Sequence, residues 1–254
     1  MNIAIHVSFF YIKERFIYLN RIIEETNIYD DKADIFIHTN NNFEASMLKK
    51  YTNGSMNIIY HDLTNEHPHY LTWKCRKLMY EQKNNYDVFM YIEDDILVPN
   101  AAIHYWKTYN KQLINRNYNL GFLRIETKDN EEYITDLPNT RFNKLIIIDD
   151  IKYCINDINP YCAFWIYNKE EFNRFVESKF YDINNIKQYN IREKSATGLH
   201  NPKTNWYKAT LIPIIDNNVN KSCRIYHLPN NYVNNARNKF ATINFNDCIE
   251  KIVL

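Results

Sequence analysis

The chain has 254 residues, with 31 Lys and Arg against 30 Asp and Glu, and 45% of its residues are hydrophobic. The formal net charge of +1 leaves no electrostatic footprint for nucleic acid, while the apolar content suffices for a packed core. Only three glycines occur, Gly54, Gly121 and Gly198. Their wide spacing excludes a Gly-rich dinucleotide fingerprint or P-loop, so a bound nucleotide has to be held by side chains and a metal ion.

The first half of the chain alternates. Ile3 to Phe9 reads as a strand, and Ile12, Phe16, Leu19 and Ile23 recur at helical spacing. Ala33 to His38 and Met56 to Tyr60 are further apolar runs. Leu71, Cys75, Leu78 and Met79 then mark one face of a helix, and Val88 to Ile92 is a short β-branched and aromatic run that predicts a buried strand. A helix is predicted from Pro99-Asn100, with Ala102, Tyr105, Trp106 and Tyr109 in phase and Asn100 as its cap. The second half is less regular. Gly121 to Thr127, Leu145 to Ile148, Cys162 to Tyr167, Leu211 to Ile215 and Arg224 to His227 are strand candidates. Leu137-Pro138-Asn139 reads as a turn. Asn168-Lys169-Glu170-Glu171 has the form of a capping box ahead of Phe172 and Phe175. The abundance of Asn, Lys and Ile matches the composition of an AT-rich genome, so Asn-rich stretches such as Asn217 to Asn220 carry no separate signal. Strands alternating with helices predict a mostly parallel α/β sheet over the first half, 1–100, followed by a mixed-sheet half over 101–254, in one domain.

Cys75, Cys154, Cys162, Cys223 and Cys248 include no C-x-x-C pair and read as buried thiols, not zinc ligands. No apolar run has the length of a membrane span, and Asn2 to Val7 lacks a basic leader and a cleavage site. The expectation is a cytoplasmic protein with no membrane span and no nucleic-acid partner.

Glu93-Asp94-Asp95 closes the run Val88 to Ile92. Carboxylates this close raise one another's pKa unless a cation shares the site. Mg²⁺ or Mn²⁺ would serve, being hard ions that take oxygen ligands and keep positions open for phosphate. Capping of the next helix is the other reading, but Asn100 is placed to do that itself. In parallel sheets, ligands bind outside the carboxyl ends of the strands, and Ser8, Thr39-Asn40, His61-Asp62 and the acids each end or follow a strand.

An α/β half that ends in an acidic triplet, followed by a mixed half, resembles the GT-A class of nucleotide-sugar glycosyltransferases, whose hallmark is Asp-x-Asp after a hydrophobic strand. Glu93-Asp94-Asp95 would be a variant with Glu first. The likeness is to the small GT-A domains of large DNA viruses, such as the chlorovirus capsid-glycan glycosyltransferases. It is carried by Ile5 to Ser8, Asp34 to Asn40, Tyr70 to Lys74, Tyr91 to Ile96 and Tyr226 to Pro229. For a viral protein of this kind the compartment would be the host cytoplasm.

The resemblance implies a metal-dependent transfer of sugar from a nucleoside diphosphate, with UDP favoured by analogy, to a hydroxyl of a glycan or glycoprotein. It makes Asp95 the first metal ligand and His227 the second, and assigns Glu93 and Asp94 to the ribose or to metal-bound water. Ser8 and Asn40 are candidates for base and ribose, and Arg76 for phosphate or base, with Lys74 and Lys77 beside it. Glu193 is the candidate general base or acceptor contact. Pro160 to Trp165 could offer aromatic surface to a sugar, and Arg237 and Lys239 a closing lid. His67-Pro68-His69 reads as a polar loop. Two other readings stand beside this one: a nucleotidyltransferase or metal-dependent phosphoesterase that also uses Asp62, Asp149 and Asp150, and a non-catalytic carbohydrate-binding module.

Overall fold

The structure, a computed structural model, describes residues 1–186, 198, 206–235, 237 and 239–250. It is α/β with mixed sheets and resolves into two compact units, Met1–Ile96 with Ala163–Leu199, and Leu97–Cys162 with His200–Leu254. The boundary differs from the expected division after residue 100, and 163–199 returns to the first unit. The reason is strand pairing: Phe164–Asn168 lies antiparallel against Val88–Glu93.

In the first unit the elements run β1 (Asn2–Phe9), α1 (Phe16–Asn27), β2 (Lys32–Thr39), β3 (Met56–Tyr60), α2 (Leu71–Glu81), β4 (Val88–Glu93), β5 (Phe164–Asn168) and α3 (Lys169–Glu177). The sheet order is β5-β4-β1-β2-β3, with β1 to β4 mutually parallel. Side chains alternate between the two faces of each strand. On one face, Phe9 meets Phe16 of α1 with ring centroids 4.9 Å apart. On the other, Phe89 stacks on Phe172 of α3 at 4.0 Å, and the Gln82 side chain at the end of α2 faces His6. Helices therefore cover both faces, and the near-continuous apolar runs of β1 and β4 follow from burial on two sides. Phe16, Leu19, Ile22 and Ile23 of α1 are all buried, each contributing roughly 1.5–3 kcal/mol. The Asn168/Glu171 capping box forms as predicted, the Asn168 side chain accepting from the Glu171 N–H at 2.8 Å.

Strand order places a reversal between β1 and β4. From β1 the chain passes over one face to β2 on one side. From β3 it crosses the other face, through α2, to β4 on the opposite side of β1. The carboxyl ends of β1 and β4 consequently diverge and leave a crevice, the usual ligand position in doubly wound sheets.

The second unit carries the helix Asn100–Ile114, whose cap residue is Pro99, so that Asn100 is its first residue. It also holds two small sheets. One joins Leu145–Ile148, Ile151–Ile155, Thr210–Ile215 and Asn218–Val219 as antiparallel neighbours. In the other, Leu123–Lys128 pairs antiparallel with Glu131–Ile134 and parallel with Arg224–His227. Glu131–Ile134 and Ile151–Ile155 are strands that hydrophobic patterning did not indicate. The run expected over Gly121 to Thr127 divides at Gly121-Phe122. A Cβ on Gly121 would sit 2.7 Å from the Ile212 side chain, so backbone approach explains that glycine.

A row of imidazoles crosses the parallel sheet. His6 Nδ1 lies 3.0 Å from His38 Nε2, and His38 Nδ1 lies 2.8 Å from His61 Nε2. Burial pushes His6 down to about 3, with Gln82 opposing. Burial, then His6 and His61, push His38 well below 6.5, and burial and Lys74 lower His61. Each ring gains protons on unfolding, so this part of the stability is present above pH 6.5 and is lost as pH falls toward 3. At pH 4.5, His6 alone should cost a few kcal/mol relative to neutral pH, since each pH unit below the unfolded value costs about 1.4 kcal/mol. Urea unfolding followed by circular dichroism from pH 7 to pH 4 should show stability falling along this limb. The slope should flatten in His6→Phe.

Candidate functional site

The crevice between β1 and β4 is a cleft of about 250 Å³ lined by Ser8, Phe10, Ile12, Arg15, Pro68, His69, Leu71, Thr72 and Glu93-Asp94-Asp95. Ser8 sits opposite Glu93 in the β1–β4 register and opposite His38 in the β1–β2 register, so the three share one face of the sheet. The backbone pins the triplet: the Glu93 N–H donates to Ala163 O at 3.2 Å and the Asp94 N–H to Ser8 O at 3.1 Å. Asp94 and Asp95 are buried, at 4% and 8% exposure, and Glu93 is half-buried.

Arg15 brings a positive charge to the two aspartates of the triplet. Its Nε donates to Asp94 Oδ2 at 2.6 Å, and its Nη2 donates to Asp94 Oδ1 at 2.5 Å and to Asp95 Oδ2 at 2.8 Å. Planar, bidentate geometry of this kind is particular to guanidinium. Burial pushes the Asp94 carboxyl up to about 6, with Arg15 pulling against it and Asp95 adding to the rise. Burial lowers the Arg15 guanidinium, but the two aspartates outweigh it and the net shift is upward. Arg15 ends the 3₁₀ turn Lys13–Arg15 that leads into α1, almost eighty residues before the acids. Nothing in its sequence neighbourhood marks it.

Four expected site residues, Ser8, Glu93, Asp94 and Asp95, come together in this cleft. Asn40 lies outside the lining set, where its Oδ1 accepts the Tyr11 N–H at 2.8 Å and straps down the segment after β1. Arg76 corrects the phosphate expectation. Its guanidinium is buried, 3.2 Å from the Trp73 ring centroid and 4.5 Å from that of Phe175, and burial lowers it to about 10. It acts as a cation–π filler under aromatic rings. Lys74 pairs with Glu66. Phe164 and Trp165, proposed as sugar-facing surface, are core residues, and Trp165 stacks on Tyr167 at 4.7 Å. His69, read as part of a polar loop, lines the cleft. Glu193 lies outside the described residues. Arg237 and Lys239 are exposed.

His227 belongs to the second unit. Its Nδ1 lies 2.5 Å from Glu126 Oε1, while Glu126 Oε2 accepts the backbone N–H groups of Tyr232 and Val233 at 2.9 and 2.7 Å. An ionised carboxylate only accepts, so Nδ1 carries the hydrogen of this contact. Sequence patterning passed over Glu126, which is fully buried in this unit, and the buried Arg124–Asp136 pair at 2.6 Å. Of the acids considered for a two-metal site, Asp62 forms a local turn with Thr64. Asp149 and Asp150 are hairpin-turn residues with φ of 48° and 62°.

The donor set at the cleft suits a hard divalent ion in kind, because it is all carboxylate and buried Asp94 stays raised even with Arg15 in place. It is a partial shell: among the described residues no three His, Cys, Asp or Glu side chains gather as a metal-binding group. Two carboxylates completed by water and phosphate oxygens are a usual arrangement for Mg²⁺. Among the described residues no helix is long and apolar enough to cross a membrane.

Set against protein-family models and curated proteins, the chain matches none.

Glu126→Gln keeps the shape but offers one acceptor oxygen to three donors. The variant should be destabilised by about 1–3 kcal/mol, measured as a lower urea midpoint for the second unit.

Proposed function

We propose that the chain is a glycosyltransferase that moves a sugar from a nucleoside diphosphate, UDP being the favoured one, to a hydroxyl of a glycan or glycoprotein. The observation that supports it most is the acidic triplet bordering the β1/β4 crevice together with Ser8. A nucleotide has a fitting place there. Phe10, Ile12 and Leu71 offer apolar surface to a flat base, and Ser8 and the half-buried Glu93 offer hydrogen-bond partners to ribose hydroxyls.

Asp94 and Asp95 would hold a Mn²⁺ or Mg²⁺ ion. Such an ion would neutralise charge on the departing diphosphate as a Lewis acid. The chain's own contribution is positional. The backbone bonds at Glu93 and Asp94 fix the carboxylates at the crevice, and Arg15 holds the aspartates in one orientation. A rigid acidic edge of this kind is the form of electrostatic preorganisation that phosphoryl and glycosyl leaving groups need.

Thermal-shift screening against nucleotide sugars, with and without Mn²⁺, tests the reading. A ligand at about a hundred times its Kd adds about 2.7 kcal/mol, or roughly 5–10 °C for a chain of this size. The expected pattern is a shift with UDP-sugars that needs Mn²⁺, accompanied by slow UDP release. A panel with no shift for any nucleotide sugar would defeat the assignment. Asp95→Asn should weaken Mn²⁺-dependent nucleotide binding by about tenfold or more, or about 1.4 kcal/mol. Its melting temperature without ligand should stay close to that of the parent, because Arg15 retains both oxygens of Asp94. Calorimetric titration of UDP with Mn²⁺ into both proteins provides the comparison.

A further inference from the structure

We infer that the second unit carries its own binding site for a neutral sugar ring, with Arg124 as the hydrogen-bond donor and Tyr161 and Tyr232 as its aromatic surface. All of these residues belong to that one unit, and the inference stands apart from the nucleotide reading of the cleft.

Arg124 and Glu126 lie two apart on the strand Leu123–Lys128, so their side chains leave the same face. Arg124 Nε donates to Thr135 Oγ1 at 2.9 Å and to Asp136 Oδ2 at 3.1 Å, and Nη2 donates to Asp136 Oδ1 at 2.6 Å. A guanidinium has five N–H groups, and the two on Nη1 donate to no acceptor among the described residues. The side chain is only 8% exposed, yet Nη1 is not among the polar atoms sealed from solvent without a partner. The unused nitrogen therefore sits in the small part of Arg124 that solvent reaches. A buried cationic donor left without an acceptor is destabilising, so this edge suits an incoming oxygen. Burial opposes the charge, but Asp136 outweighs it and the net shift of Arg124 is upward. Core packing alone does not call for the pair, since apolar residues of the same volume fill such a space as well.

Two tyrosines supply the apolar surface. The guanidinium carbon lies 5.6 Å from the Tyr161 ring centroid and 5.7 Å from that of Tyr232. Both residues are half-buried, and polar ties to their backbone place them. The Tyr161 N–H donates to Asn159 Oδ1 at 3.2 Å, and the Tyr232 N–H to Glu126 Oε2 at 2.9 Å. Rings beside a planar donor offer an apolar face and a polar edge together, the combination that the C–H face and hydroxyls of a sugar require. Charge then selects among ligands. Asp136 balances Arg124, and Glu126 is held by His227 Nδ1 and two backbone N–H groups. With the His227 ring neutral or charged, Arg124, Asp136, Glu126 and His227 together carry no net positive charge. A phosphate or carboxylate finds nothing to neutralise it there, whereas a hydroxyl oxygen accepts from Nη1 without bringing charge.

Saturation-transfer NMR on the full chain, with neither nucleotide nor metal present, tests the site. The probes are the methyl pyranosides of glucose, galactose and mannose, with galacturonate and glucose 6-phosphate as anionic counterparts. At least one neutral glycoside should bind, and the anionic sugars should bind about tenfold more weakly or worse. Arg124→Lys keeps a charge beside Asp136 and loses the outward N–H pair. It should weaken the bound glycoside by about tenfold or more while its melting temperature stays close to that of the parent. Should it fail to fold, Arg124→Met combined with Asp136→Leu, which removes both charges together, carries the same test. No binding of any neutral glycoside by the parent, or unchanged affinity in a folded variant, would overturn the site. An anionic sugar bound more tightly than its neutral counterpart would overturn the ligand class. Glycoside binding that depends on Arg124, in a chain that binds no nucleotide sugar, would uphold the site and sink the nucleotide reading alone.

Discussion

Two buried carboxylates at one strand end cannot both stay ionised without a cation within reach, and Arg15 pairs with both of them. Its position explains much of the local architecture. β1 must end beside β4 for the two segments to meet, the chain must turn back within a few residues through Lys13–Arg15, and α1 must start there on the apolar face under Phe9. The Asp94 N–H closes the arrangement by bonding Ser8 O. The acids, their cation and the crevice are therefore products of one topological event, the reversal of strand order around β1. Any ligand that enters must negotiate with the ion pair already present.

The parallel sheet was legible because burial on both faces writes β1 and β4 as unbroken apolar runs, and because Leu71, Cys75 and Met79 repeat at the period of α2. The acidic triplet was legible because it interrupts such a run. Arg15 was not, since one arginine at a helix start carries no periodicity and its partners are distant in sequence. Arg76 was misleading for a related reason: a cation beside an apolar stripe looks like a solvated or ligand-binding group until Phe175 and Tyr181, a hundred residues on, are folded over it. Of the cleft residues, Thr72 and His69 became visible only when the β3–α2 connection was seen to run along the crevice.

The strands missed in the second unit had a signal that compositional bias concealed. Asp129-Asn130, Asp149-Asp150 and Asp216-Asn217 all take positive φ at both positions, and each joins two antiparallel strands. Asp and Asn tolerate that conformation and shape the tight hairpin turns that right-handed strand twist requires. In a chain rich in Asn, these pairs were indistinguishable by composition from background. The Glu126–His227 contact was hidden differently, because the two residues lie on strands paired in space and a hundred residues apart in sequence.

The row His6–His38–His61 has a property that no single ring possesses. A neutral imidazole owns one N–H, and the central ring, His38, uses both of its nitrogens inside the row. Choosing the tautomer of one ring therefore dictates the tautomers of its neighbours, and the hydrogens must all lean toward His61 or all lean toward His6. The row behaves as a single polar element with two collective orientations, so a change in hydrogen bonding at the half-buried His61 is felt, with no movement of heavy atoms, at the buried Nε2 of His6.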